Sequence, residues 1–281
     1  MSEAATVGVI RDLLMVGALA LLFALPFYAS LRHRADTAWN YEGNVPARPY
    51  NWVDAGAALA LLLLLLSSAF VDPEKAHAAA GKPPSMSVET LLVGSVMMLL
   101  MACAVLAYLA LLRGLNPAEL FGMRQMTVGW AFLWALGALL VTCILLISAK
   151  KFVEEVMFHG SFPDNSAQET VEAFEHSAGW GFKILMGITA VVVAPVVEET
   201  LFRGFIYAVT KRVTDRWFSA CFTSLMFALV HHHVGSIVPL FVLAIGFTVA
   251  YEITGCLLVP IFMHAMFNGL NIALLALGHE S

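Results

Sequence analysis

The chain has 281 residues, 60% of them hydrophobic and 12% charged, with a formal net charge of -5 and a mean hydropathy of +0.83. A soluble domain averages nearer half apolar and about a quarter charged, so the composition excludes an ordinary soluble domain and requires a membrane-integral chain. The acidic balance, without basic and aromatic interleaving, excludes nucleic acid as a partner.

The N-terminal stretch "MSEAATVGVIRDLLMVG" lacks a cationic leader region and a small-residue cleavage site. Its apolar run therefore reads as a retained helix rather than a signal peptide. Apolar runs near the roughly 20 residues that a helix needs to span fall at 8–31, 52–71, 88–112, 127–149, 181–212, 217–234, 237–254 and 256–278. The expected fold is an all-α polytopic bundle of about eight spans. A β-barrel would show short alternating segments instead. The run at 237–254 is short and starts close to the one before it, so it either pairs tightly with its neighbours or re-enters. The run at 181–212 is long for one crossing, and part of it is expected to reach a headgroup region or line a cavity.

The connections are polar. The odd-numbered ones carry Arg32, Arg34, Arg48, Arg113, Arg124, Lys211, Arg212 and Arg216, against Lys75, Lys82, Lys150 and Lys151 in the even ones. This bias places the odd connections in the cytoplasm and the N-terminus outside. The connection near 152–178 is acidic. Its "VEEVMFHG", residues 153–160, pairs glutamates with His159, but it lies between spans and reads as an amphipathic or solvated loop. Cys103, Cys143, Cys221 and Cys256 form no CxxC pair and read as small apolar helix residues.

Three polar clusters interrupt the last apolar runs. The first is "EETLFRG", residues 198–204. Charges at bilayer depth cost about 2.5–3.5 kcal/mol on insertion scales and face a bundle interior or a wet cavity. Glu199 and Arg203 are one turn apart and can pair. Glu198 lies about 100° around the helix from Glu199 and is left for chemistry. Pro195, three residues earlier, removes a backbone bond and kinks the helix, and Gly204 permits close helix approach.

The second cluster is "FALVHHH", with Phe227 and His231 on one face; His232 and His233 read as helix-end or interfacial residues. The third is "HAMFN", with His264 and Asn268 on one face. Each cluster alone could simply tie helices together. Together they concentrate groups that activate water, a carboxylate with a histidine, and groups that steady an oxyanion, a histidine with an amide. Hydrolysis of a peptide bond without a covalent intermediate fits that set.

"EETLFRG", "FALVH" and "HAMFN" resemble the EExxxR, FxxxH and HxxxN motifs of the CAAX-protease and bacteriocin-processing (ABI) family, in order and in approximate spacing. "YEITGCLLVPIFMHAMFN" is also similar to that family's approach to its last motif, with a Thr-Gly turn before the final helix. The resemblance covers roughly 181–278. It implies a glutamate-type intramembrane endopeptidase core there, after an N-terminal region, 1–180, of about four helices without a recognised motif. Carried over residue by residue, Glu198 activates water with His231, and His264 and Asn268 hold the oxyanion. Glu199 and Arg203 support the site, and Phe227 packs beside it. The implied substrate is a protein or peptide, lipidated or not, cut near its C-terminus or close to the membrane.

No cofactor is expected. A zinc site of Glu198, His231 and His264 is disfavoured, because there is no HExxH and the ligands come from three helices. A non-catalytic binding or bacteriocin self-immunity protein on the same fold could carry the same clusters. A transporter could also bury charges of this kind, but inverted repeats would mark it.

Overall fold

A computed structural model describes residue 17 and residues 43–67, 88–152, 179–231 and 236–278. The described residues are helical with short connections and no strands. In chain order the helices are α1, Trp52–Ser67; α2, Val88–Leu112; the one-turn α3, Pro117–Leu120; α4, Val128–Phe152; α5, Trp180–Val213; α6, Arg216–Leu229; α7, Ile237–Thr254; and α8, Leu258–Gly278.

Five of these, α2, α4, α5, α7 and α8, are long and apolar enough to cross a membrane, and the chain is a multi-pass integral membrane protein. One expected span is described only in part and another is shorter. The run 52–71 is helical over 16 described residues in α1, and the run 217–234 gives 14 helical residues in α6, about 21 Å at 1.5 Å per residue. The expected first span, the acidic connection with His159, and His232 and His233 lie outside the described residues. The short run 237–254 forms one continuous helix packed against α4, α6 and α8.

Local chemistry sets the helix ends. Asn51 caps α1 by accepting from Val53 N at 2.9 Å, while Asp54 accepts from Asn51 N at 2.7 Å, a reciprocal capping box. Asn116 caps α3 with Pro117 next to it. Asp215 caps α6 by accepting from Trp217 N and Phe218 N, each at 2.9 Å. Gly255, at φ 63°, ends α7 in the left-handed conformation that glycine adopts freely, which is the turn the sequence places before the final helix.

The odd-numbered connections meet at one end of the bundle. Val45, Ala47 and Tyr50 are buried there. Basic side chains from the end of α5 and the end of α2 cap this segment's carbonyls: Lys211 Nζ donates to Val45 O at 3.1 Å, Arg212 Nε to Tyr50 O at 3.1 Å and Arg113 Nη2 to Pro49 O at 3.2 Å. Lys211 also pairs with Glu252 of α7. Arg113 grips the buried Asp54 through Nε at 2.7 Å and Nη2 at 3.1 Å, and Tyr108 donates to the same carboxylate at 2.7 Å. Several of the cations that set the charge bias therefore also work as internal hydrogen-bond donors.

The turn at 121–122 closes this end. Leu257 N donates to Phe121 O at 2.9 Å. Gly122 sits at φ 64°, and a Cβ there would lie 1.8 Å from Gly255 O. Gly122→Ala combines a left-handed strain with a backbone clash. We expect it to lower the thermal midpoint in detergent by about 4–10 °C, corresponding to roughly 2–3 kcal/mol.

One buried apolar cluster runs from Val45, Leu62 and Leu109 through Phe202, Phe205 and Ile206 to Phe227 and Ile261. A second joins α4 to α7 and α8 through Ala131, Ala135, Leu243, Phe247 and Met263. Outward faces of α2 and α4 remain apolar, with Val93, Met97, Leu100, Trp130, Leu133 and Ile144 exposed. That distribution suits a lipid solvent, in which helices must be satisfied internally only at the backbone.

Candidate active site

The site is built on α5, which is not one uniform helix. Thr189–Val193 and Thr200–Tyr207 are π-helical, with α-helical Ala194–Glu199 between them. Extra residues of this kind re-aim side chains and occur often at functional sites. The first π segment lies just before Pro195, whose ring would otherwise press on the carbonyl four residues back. The long apolar run at 181–212 is thus one helix of changing register, and its middle lines a polar interior.

Glu199 and Arg203 form the expected pair. Arg203 Nη1 donates to Glu199 Oε1 at 3.0 Å, with both side chains buried to 1% exposure or less. Arg203 also donates through Nη2 to Ala244 O at 3.0 Å. Its guanidinium lies 4.5 Å from the Phe227 ring centre and 5.4 Å from that of Phe247, a desolvated cation–π sandwich. Thr248, whose hydroxyl donates to Ala244 O at 2.9 Å, lies 3.4 Å from Arg203 Nε. These α7 residues, Ala244, Phe247 and Thr248, were not found in the sequence. Thr248, a polar residue in the middle of an apolar run, was the one signal that could have pointed to them.

His264 links the two glutamates. Its Nδ1 lies 2.9 Å from Glu199 Oε1, and a carboxylate oxygen accepts there, so Nδ1 carries the proton. Its Nε2 faces Glu198 Oε2 at 3.9 Å. His231 is held in the same sense. Its Nδ1 donates to Phe227 O at 2.7 Å, and its Nε2 faces Glu198 Oε2 at 3.9 Å. The backbone carbonyl cannot donate, so neutral His231 presents an Nε2 lone pair towards Glu198.

Glu198 Oε2 is buried and has no hydrogen-bond partner. The three groups differ in access: Glu198 is 20% exposed and His231 24%, against 5% for His264. Phe227 and Phe247 wall the His264 ring at centroid distances of 5.9 and 5.3 Å. The structure thus brings Glu198, Glu199, Arg203, Phe227, His231 and His264 together. Asn268, one turn after His264, donates instead through Nδ2 to Ala190 O at 2.8 Å, in the first π segment.

Among the described residues, no group of three or more His, Cys, Asp or Glu is placed to hold a metal ion. The 3.9 Å separations from Glu198 Oε2 to each Nε2 exceed the roughly 3.3 Å edge of a tetrahedron with zinc–ligand bonds near 2.0 Å.

Residues 180–270 match the family model described as Type II CAAX prenyl endopeptidase Rce1-like. The chain is 27% identical over 169 residues to a Bacillus subtilis (strain 168) protein named "Putative membrane peptidase YdiL", covering 59% of this chain and 65% of that one. It is 29% identical over 177 residues to an Escherichia coli protein named "Uncharacterized 24.3 kDa protein", covering 61% of this chain and 73% of that one. The match thus spans just under two thirds of the Bacillus protein's length. No solved structure matches the chain. It is through residues 180–270, which carry all three motifs, that this multi-pass membrane protein is similar to the Rce1-like family.

Proposed function

We propose that the protein is a glutamate-dependent intramembrane endopeptidase that hydrolyses a peptide bond near the C-terminus or the membrane-proximal part of a protein substrate. The observation that carries the reading is Glu198 Oε2, buried without a hydrogen-bond partner and 3.9 Å from the Nε2 atoms of both His231 and His264. These gaps are too long for direct hydrogen bonds, and the one between Glu198 and His231 suits one water between two acceptors.

In this mechanism a water donates to Glu198 and to the Nε2 lone pair of His231. Glu198 takes the proton as the water oxygen bonds to the substrate carbonyl carbon. The carbonyl oxygen becomes an oxyanion. His264, as an imidazolium, donates Nε2–H to it while Nδ1–H stays on Glu199. The C–N bond then breaks, and the proton held by Glu198 passes to the leaving amine. Glu199 and Arg203 act behind the reacting atoms by fixing the orientation of His264, as carboxylate partners of histidine do elsewhere. The apolar walls of Phe227 and Phe247 strengthen these interactions by lowering the local dielectric.

The test is hydrolysis by the purified protein in liposomes, with solubilised membrane proteins as the substrate pool and new peptide ends located by mass spectrometry. Cleavage is expected to continue after exhaustive chelation. Cleavage lost on chelation and restored by zinc would replace the glutamate and water reading with a His₂Glu metal site.

A further inference from the structure

Proline has no N–H, so a proline inside a helix leaves one carbonyl without its backbone donor. Here that carbonyl can be identified. Ala194 N donates to Thr189 O, five residues back, which sets the π register. In the same register the donor for Ala190 O would be the nitrogen of Pro195. Ala190 O instead accepts from Asn268 Nδ2 at 2.8 Å. The two helices approach closely there: a Cβ on Gly269 would lie 3.9 Å from Val191.

We infer that Asn268 is a positioning residue that supplies the hydrogen bond Pro195 removes. One turn earlier on α8, His264 holds Glu199. The last helix therefore grips α5 on both sides of the proline, at Ala190 and at Glu199, and Glu198 lies between those grips. Fixing this stretch of α5 fixes where the Glu198 carboxylate points relative to His231 and His264. The effect on catalysis rests on the peptidase reading; the hydrogen bond does not.

A double-mutant cycle on the full chain tests this. Pro195→Ala returns a backbone N–H to the position that Ala190 O lacks. With Pro195 present, Asn268→Ala is expected to lower the thermal midpoint in detergent by about 3–6 °C. In the Pro195→Ala background the same change is expected to cost under about 1 °C. Turnover is expected to fall by about 10²-fold on Asn268→Ala when Pro195 is present and by a smaller factor when it is not. An oxyanion role alone would instead lose the same factor in both backgrounds. Equal thermal costs in the two backgrounds overturn the inference whether or not any peptide is cut. Thermal coupling in a protein that cuts nothing would sink the peptidase reading and leave this one standing. Should Asn268→Ala fail to accumulate, recovery of the Pro195→Ala/Asn268→Ala protein is the expected result, and its equal failure overturns the proposal.

Discussion

Glu198→Gln is expected to cut turnover by about 10³-fold while leaving the fold intact. A positioned general base contributes on the order of 10²- to 10⁴-fold, and glutamine cannot take the proton. The fold should survive because Glu198 Oε2 has no hydrogen-bond partner to lose. A buried, unpartnered carboxylate costs stability, so the thermal midpoint of the variant should equal or exceed that of the wild type. His231→Ala should also slow the reaction, and the double variant should be no slower than the slower single one. Groups that act together on one water give such non-additive losses. The check is single-turnover kinetics beside thermal unfolding of each variant in the same detergent. A large fall in the midpoint of Glu198→Gln would make Glu198 a structural residue.

Arg203→Ala should have the opposite signature. Arg203 is 1% exposed, and Glu199, to which it donates, is fully buried. Removing one partner of a buried ion pair strands the other and costs about 3–5 kcal/mol. The loss of the contacts to Ala244 O, Phe227 and Phe247 adds to this. We expect the thermal midpoint to fall by roughly 10 °C. Replacing both partners with apolar residues, Glu199→Leu with Arg203→Met, should recover most of that stability, because buried pairs are often no better than apolar packing. It should not recover turnover, because His264 Nδ1 then loses its acceptor. Unfolding midpoints of the single and double variants, with turnover measured on each, separate the two roles.

The sequence exposed the parts of the site that obey helical spacing. The turn between Glu199 and Arg203, and that between Phe227 and His231, could be read directly. So could the divergence of Glu198 from Glu199. The contacts that complete the site are long-range: His264 reaches Glu199 across 65 positions, and Arg203 reaches Ala244 across 41. No local pattern encodes them. The π segments were hidden because no residue type in the run marks a change from α to π register.

The span α6 was overestimated for a related reason. Apolar length alone does not mark where a helix stops, and α6 ends at Leu229, two residues before His231. The Asp54–Arg113 and Lys211–Glu252 pairs were missed because their cations were counted as interfacial charge. A carboxylate near the end of each of two otherwise apolar runs was the clue to them. The hydrogen bond from Asn268 to Ala190 O depended on the register of a helix that the sequence could not show.

The most direct test of the central claim compares peptides released from membranes of cells expressing wild-type protein with those from cells expressing Glu198→Gln at the same level. The account predicts C-terminal or juxtamembrane fragments that appear with the wild type and are absent with the variant. The same fragments in equal yield from both would contradict it, because the carboxylate at the centre of the site would then take no part in the chemistry.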